Sequence, residues 1–183
     1  MNELRTEPAA VAGAHPRGLY FLFATEMWER FSFYGISAVL VLYLTTGLGL
    51  PDAQAALTSG AYMAFSFLTP ILGGLVADRV LGLRWSVSLG GVLILLGNLV
   101  LAWRDGLPNV YAGLALVALG TGYLKATVSV MVGKLYAEND PRRESGYTLF
   151  YLGINVGALL AGLVMAWAAK VWGWHNCFYL SSP

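Results

Sequence analysis

The sequence predicts an all-α fold, a polytopic bundle of membrane-crossing helices, and three observations lead there. Only 11% of the 183 residues are charged, against about 25% in ordinary soluble domains. Apolar residues make up 57% and gather in five long blocks. The connections between blocks are short and polar and carry helix-breaking glycines and prolines. A hydrocarbon core of ~30 Å takes about 20 apolar residues per helix. Residues 19–45, 53–77, 85–103, 110–132 and 147–171 each reach that length, which makes residues 19–172 a five-helix transmembrane region.

Taken in order, residues 1–18 hold Arg5 and Arg17 but no apolar stretch. They therefore read as a cytoplasmic segment and not as a cleavable signal peptide, leaving the first span to direct its own insertion. The run TTGLGLPDAQ, with Gly47, Gly49 and Pro51, breaks the chain before the second span. Pro70 falls inside that span, where it frees a carbonyl and predicts a kink. DRVLGLR makes a tight turn before the third span, RDGLPN another before the fourth, and KLYAENDPRRES the longest connection before the fifth. Small residues mark close helix crossings: Gly113, Gly120 and Gly122 in the fourth span, and Gly153, Gly157 and Ala161 at four-residue spacing in the fifth. Residues 173–183, GWHNCFYLSSP, read as the start of a sixth helix that stops, so the chain is expected to be a truncated form or a fragment.

Loop charges set the orientation. A cytoplasmic N-terminus puts Arg5, Arg17, Arg79, Arg84, Lys134, Arg142 and Arg143 inside and leaves Arg104 and Lys170 outside, as the positive-inside rule asks. Other classes find no support. No basic run suits nucleic acid. A single cysteine, Cys177, excludes an internal disulfide and a CxxC metal site. His15 and His175 lie outside the spans and neither HExxH nor GxSxG occurs, so no enzyme, metal or cofactor is expected.

The first span raises the functional question. In ATEMWERFSFYGISAVLVLYL, residues Glu26, Glu29, Arg30, Phe33, Tyr34 and Ser37 recur at helical spacing and form one stripe. A charge at the bilayer centre costs about 2.5–3.5 kcal/mol on insertion scales, so the stripe is expected to face other helices. Glu26 and Arg30, four apart, can pair along it. Lys125 in the fourth span is the remaining buried charge, which balances two acids with two bases. That balance predicts an ion pair of Lys125 with Glu26 or Glu29, which exchanges a proton when it opens; a static structural network is the other reading. Asn155 in the fifth span, with Tyr151 and Thr148 on its face, reads either as glue between helices or as a ligand.

Four collinear stretches carry a family resemblance. EMWERFSFYG is similar to the first-helix signature Glu-x-x-Glu-Arg-Phe-x-Tyr-Tyr-Gly of the proton-dependent oligopeptide transporters, and FYLGINVGAL to their fifth-helix signature. GTGYLKATVSVMVGKLY resembles their lysine-bearing fourth helix. Gly74, Asp78, Arg79, Gly82 and Arg84 match the major facilitator loop Gly-x-x-x-Asp-Arg-x-x-Gly-x-Arg. The resemblance implies a carrier of two six-helix halves, of which this chain gives the first five helices of the N-terminal half. It implies symport of di- and tripeptides with protons across the cell membrane. Glu26, Glu29 and Lys125 would serve proton coupling, Arg30 and Lys125 would draw the peptide carboxylate, and Tyr34 and Asn155 would bind the substrate. Phe33, Ser37, Phe67 and Tyr151 are further cavity-lining candidates. The sequence departs from the pattern at Phe33, for a tyrosine, and at Ser37, where many peptide-carrying members have arginine. It also departs at Phe67, where a tyrosine is frequent, and at Ala126–Thr127, for Pro-Asn. The pocket is thus poorer in donors, which leaves nitrate or another small anion or metabolite as an alternative substrate. The partners implied are a small peptide, protons, the lipid bilayer and the missing C-terminal half. Without that half the chain is expected not to transport, and a non-transporting membrane fragment is the third reading.

Overall fold

The chain enters its first helix directly behind Pro16, which presets the extended backbone of an N-cap. In the computed structural model, which describes residues 13–182, six helices follow one another and no strand occurs among the described residues. Arg5, with most of the N-terminal segment, lies outside the described residues. Helix α1 spans Arg17–Leu42 and winds on through a π-helical turn, Tyr43–Gly47. Helix α2, Asp52–Val76, likewise ends in a π-helical turn, Ala77–Leu81. Helices α3 (Leu83–Trp103), α4 (Leu107–Lys134), α5 (Arg142–Val171) and the short α6 (Trp174–Ser181) complete the bundle.

Among the described residues four helical stretches are long and apolar enough to cross a membrane: Asp52–Leu81, Leu83–Trp103, Leu107–Lys134 and Arg142–Val171. Helix α1 is as long but less apolar, because Glu26, Glu29 and Arg30 interrupt its first half. Helix α5 begins five residues ahead of its apolar block. The cause is local: the Asp140 carboxylate accepts a bond from the Arg142 amide at 2.9 Å and satisfies one of the orphan donors of the first turn. The same carboxylate takes two bonds from the Arg142 guanidinium, at 3.0 and 2.8 Å. Together these hold the Asp140 pKa below its usual 3.8. Pro70 does not end α2, which continues to Val76. The turn into α3 depends on Gly82, whose φ of 74° would strain any other residue.

Packing follows the small residues. Gly90 and Gly97 of α3 lie against Gly120 and Gly113 of α4, and a Cβ on Gly97 would come 2.7 Å from the Gly113 carbonyl. Gly73 of α2 lies equally close to Gly122 of α4. Helix α4 is therefore clasped on two sides, with α5 laid along α1 by Gly153 and Gly157. Two apolar cores result. One, around Leu22, Leu124, Val128 and Phe150, surrounds the start of α1; the other, around Phe33, Leu40, Tyr43, Met165 and Phe178, surrounds its end. Helix α6 seals the second by burying Cys177 and Phe178 completely, with the Phe178 ring 5.2 Å from that of Tyr43. The charged turn of α1 lies between the two cores.

Candidate functional site

Helical periodicity puts Glu26, Glu29 and Arg30 on the inner side of α1, where they are 4%, 2% and 5% exposed. Such charges survive burial only when paired. Arg30 supplies the pairing: its Nε lies 3.3 Å from Glu26, one turn earlier, and its guanidinium holds Glu29, the preceding residue. One guanidinium thus serves two carboxylates on its own helix, a task suited to its planar fork of donors. Gly157 makes the arrangement possible, because its missing side chain lets α5 approach the Met27 carbonyl and the Arg30 Cβ.

The expected contact of Lys125 with Glu26 or Glu29 is not made. Among the described residues Lys125 has no carboxylate within ion-pairing distance. Its ammonium instead lies over the Phe67 ring of α2, 4.7 Å from the centroid. The reason is proximity: Arg30 reaches both acids within one turn of its own helix, whereas Lys125 approaches from α4 and rests on Phe67. Phe67 in turn meets Phe33 edge-on at 6.3 Å, and Phe33 carries the Arg30 guanidinium 5.4 Å from its centroid. The two aromatic positions that depart from the family pattern are therefore neighbours, and they link the two cations. Both lack the hydroxyl that a tyrosine would bring.

The remaining residues named above are half-buried or exposed. Tyr34 is 42% and Phe67 64% exposed, and Lys125 and Ser37 are half-buried, so these four flank the buried charges on an open face. Ser37 donates to the Phe33 carbonyl of its own helix. Asn155 and Tyr151 lie on the exposed side of α5, opposite the Gly153–Gly157–Ala161 seam, and the Asn155 amide donates to the Tyr151 carbonyl at 3.1 Å. Asn155 thus makes no bond to α1 or α4. In the loop motif, Asp78, Arg79 and Arg84 are exposed, Gly82 makes the turn, and Gly74 faces Ala126 of α4.

Sequence reasoning passed over three polar groups beside the charges. Asn98 of α3, fully buried, donates to Ser32 of α1 at 3.0 Å and ties the two helices together. Tyr62 of α2 is 3% exposed and its ring lies 5.7 Å from Phe33. Thr121 of α4 is buried beside Glu29. Only Asn98 had a signal in the sequence, as a lone amide in an otherwise apolar span; a tyrosine or threonine there looks like filler.

Buried acids held by one arginine lie near a half-buried lysine and aromatic groups, and the comparison with known proteins decides the family. The model of the POT family matches residues 84–182. The chain belongs to the POT family. It is 46% identical over 174 residues to a di-/tripeptide transporter of Lactococcus lactis subsp. lactis, covering 91% of this chain and 35% of that protein. The peptide transporter YePEPT of Yersinia enterocolitica is 44% identical over 168 residues, covering 88% and 33%. Among solved structures, a peptide transporter POT in complex with sulfate aligns with a TM-score of 0.89 at 43% identity, over 92% of this chain and 35% of that one. A POT family transporter in complex with 5-aminolevulinic acid aligns at 0.87 and 35% identity, over 92% and 36%. The chain spans about a third of the length of the curated POT relatives it matches.

Proposed function

We propose that this chain is the amino-terminal part of a proton-coupled symporter of di- and tripeptides in the cell membrane, with its N-terminus in the cytoplasm. The observation that carries the reading is a charge imbalance at the centre of the bundle. Glu26, Glu29 and Arg30 sum to −1 when all are ionised, and the neutralising cation, Lys125, is held on an aromatic face and not on the acids. A buried group of net charge is unstable in a low-dielectric interior. It is relieved either by a proton on one carboxylate or by the approach of Lys125. A substrate carboxylate that takes Lys125 leaves the acids to be neutralised by a proton, and this couples the two cargoes. Arg30 holds the acids in place, while Lys125, Tyr34 and Asn155 present donors to the substrate from the open faces of three helices. Relatives named as di-/tripeptide and peptide transporters support the peptide as cargo.

The test is uptake of a labelled dipeptide into liposomes by the protein carrying this chain, with and without a pH gradient. Glu29→Gln is expected to abolish gradient-driven uptake and to leave counterflow in place; driven uptake by that variant would exclude Glu29 from coupling. A second reading, transport of nitrate or another small anion, is favoured by one observation: Phe33 and Phe67 offer no hydroxyl beside Lys125. Competition of nitrate against dipeptide in the same liposomes separates the two.

A further inference from the structure

Three buried side-chain oxygens have no hydrogen-bonding partner among the described residues: Glu29 Oε1, the Tyr62 hydroxyl and Asn98 Oδ1. The first two belong to one place. Tyr62 lies within electrostatic reach of Glu29 and Arg30, and the Phe33 ring neighbours both, with the Arg30 guanidinium 5.4 Å and the Tyr62 ring 5.7 Å from its centroid. Interiors satisfy neighbouring orphan groups with a shared ordered water, which needs two to four polar partners.

Tyr62 has a second surface. With Leu57, Phe65, Leu114 and Leu119 it lines a groove of about 480 Å³ between the N-terminal halves of α2 and α4. The walls are apolar except for four hydroxyls: Thr58, Tyr62 and Thr69 on one side of α2, and Tyr111 of α4. Thr69 spends its hydroxyl on the Ala118 carbonyl at 2.7 Å, whereas that of Tyr62, near the Ser66 side chain, has no partner in hydrogen-bonding geometry. Tyr62 is therefore the polar group shared by the groove and the buried acid.

We propose that Glu29 Oε1 and the Tyr62 hydroxyl hold a buried water between them, and that Tyr62 positions this water to pass protons between the α2–α4 groove and Glu29. A proton arriving from the groove joins the bridging water as that water gives one of its own to the carboxylate. Tyr62 keeps its proton and only orients the water. The groups that face Glu29 are Glu26 and Arg30 of α1, Tyr62 of α2, and Thr121 and Lys125 of α4; α5 presents Gly157 there.

The proposal rests on Glu29 as the coupling acid, and the experiment separates the two claims. In liposomes with the protein carrying this chain, Tyr62→Phe keeps the ring against Phe33 and removes the hydroxyl. Gradient-driven uptake should fall at least about tenfold, less than the roughly 10²–10⁴-fold of a group that itself transfers the proton, because Tyr62 only orients the water. Counterflow should be unchanged, and the pH profile of driven uptake should shift. Tyr62→His, a ring that still bears a donor, should restore a large part of the driven rate. Wild-type driven uptake by Tyr62→Phe, with Glu29→Gln uncoupled, would overturn the relay and leave the coupling acid standing. Equal losses of counterflow and driven uptake in both Tyr62 variants would assign the residue to packing. A fully coupled Glu29→Gln would remove the acid and the relay together.

Discussion

The α3–α4 seam and the α1–α5 seam use the same device for opposite ends. Both bring helices together by omitting side chains. Between α3 and α4 the omission is mutual: Gly90 and Gly97 face Gly120 and Gly113, and backbone lies against backbone with nothing charged nearby. Between α1 and α5 it is one-sided. Gly153 and Gly157 belong to α5, and what they admit is Phe23, the Met27 carbonyl and the stem of Arg30. The first seam holds because it has no alternative arrangement. The second makes room for a charge cluster that is satisfied only in part, as the unpartnered Glu29 oxygen shows. Close packing fixes a fold in one case and holds a reactive group at depth in the other.

The sharpest break in this comparison is at Arg30. Arg30→Leu leaves two buried carboxylates without their partner and should cost about 4 kcal/mol, in the range for orphaning a buried charge. Thermal unfolding in detergent reads the loss, and adding Glu26→Gln and Glu29→Gln should recover most of it. If Arg30→Leu is stable by itself, the cluster is not held by ion pairing. Next in size is the apolar seam. Gly97→Leu drives a side chain into the backbone of α4 and should cost about 3 kcal/mol, the upper end for overpacking. Gly91→Leu on the same helix has nothing within 4 Å to meet and should be nearly neutral. Similar losses at both positions would show that mutual glycine contact is not what joins α3 to α4.

Lys125→Ala should behave unlike Arg30→Leu, because it removes no ion pair. Stability should change by no more than about 0.5 kcal/mol, whereas affinity for a substrate with a free carboxylate should fall about tenfold, equivalent to about 1.4 kcal/mol. A large loss of stability with unchanged affinity would place Lys125 in the structural network instead. The smallest effect concerns Asp140, which caps α5 at the surface. Its pKa is lowered in the folded protein, so its contribution is present above the unfolded value, 3.8, and fades as the pH falls through the folded one. Asp140→Asn should thus slightly narrow the gap between melting temperatures at pH 6 and pH 3. A wider gap would mean that the Arg142 pair does not stabilise the folded state.

Much of this site could be read along the chain, for physical reasons that differ by residue. Glu26 and Arg30 are one turn apart, so helical geometry alone brings them together. Glu29 follows because it adjoins the same guanidinium. Lys125 could not be placed that way. Charge balance argued for a contact with the acids, but balance says nothing of distance, and the amine is instead on Phe67. Asn155 shows the same limit: its depth in α5 was legible, but its hydrogen bond within its own helix was not. Tyr62 was invisible, since a tyrosine in an apolar span declares no partner until α1 and α4 stand beside it.

By itself the sequence determined the helices and the charged turn of α1, because apolar length and a 3.6-residue period are properties of the chain and need no neighbour. Only the tertiary structure decided which cation meets the acids, which glycines touch, and which hydroxyl is left over beside Glu29. Those outcomes depend on how far apart the helices lie, and side-chain spacing along one helix carries no information about the distance to the next.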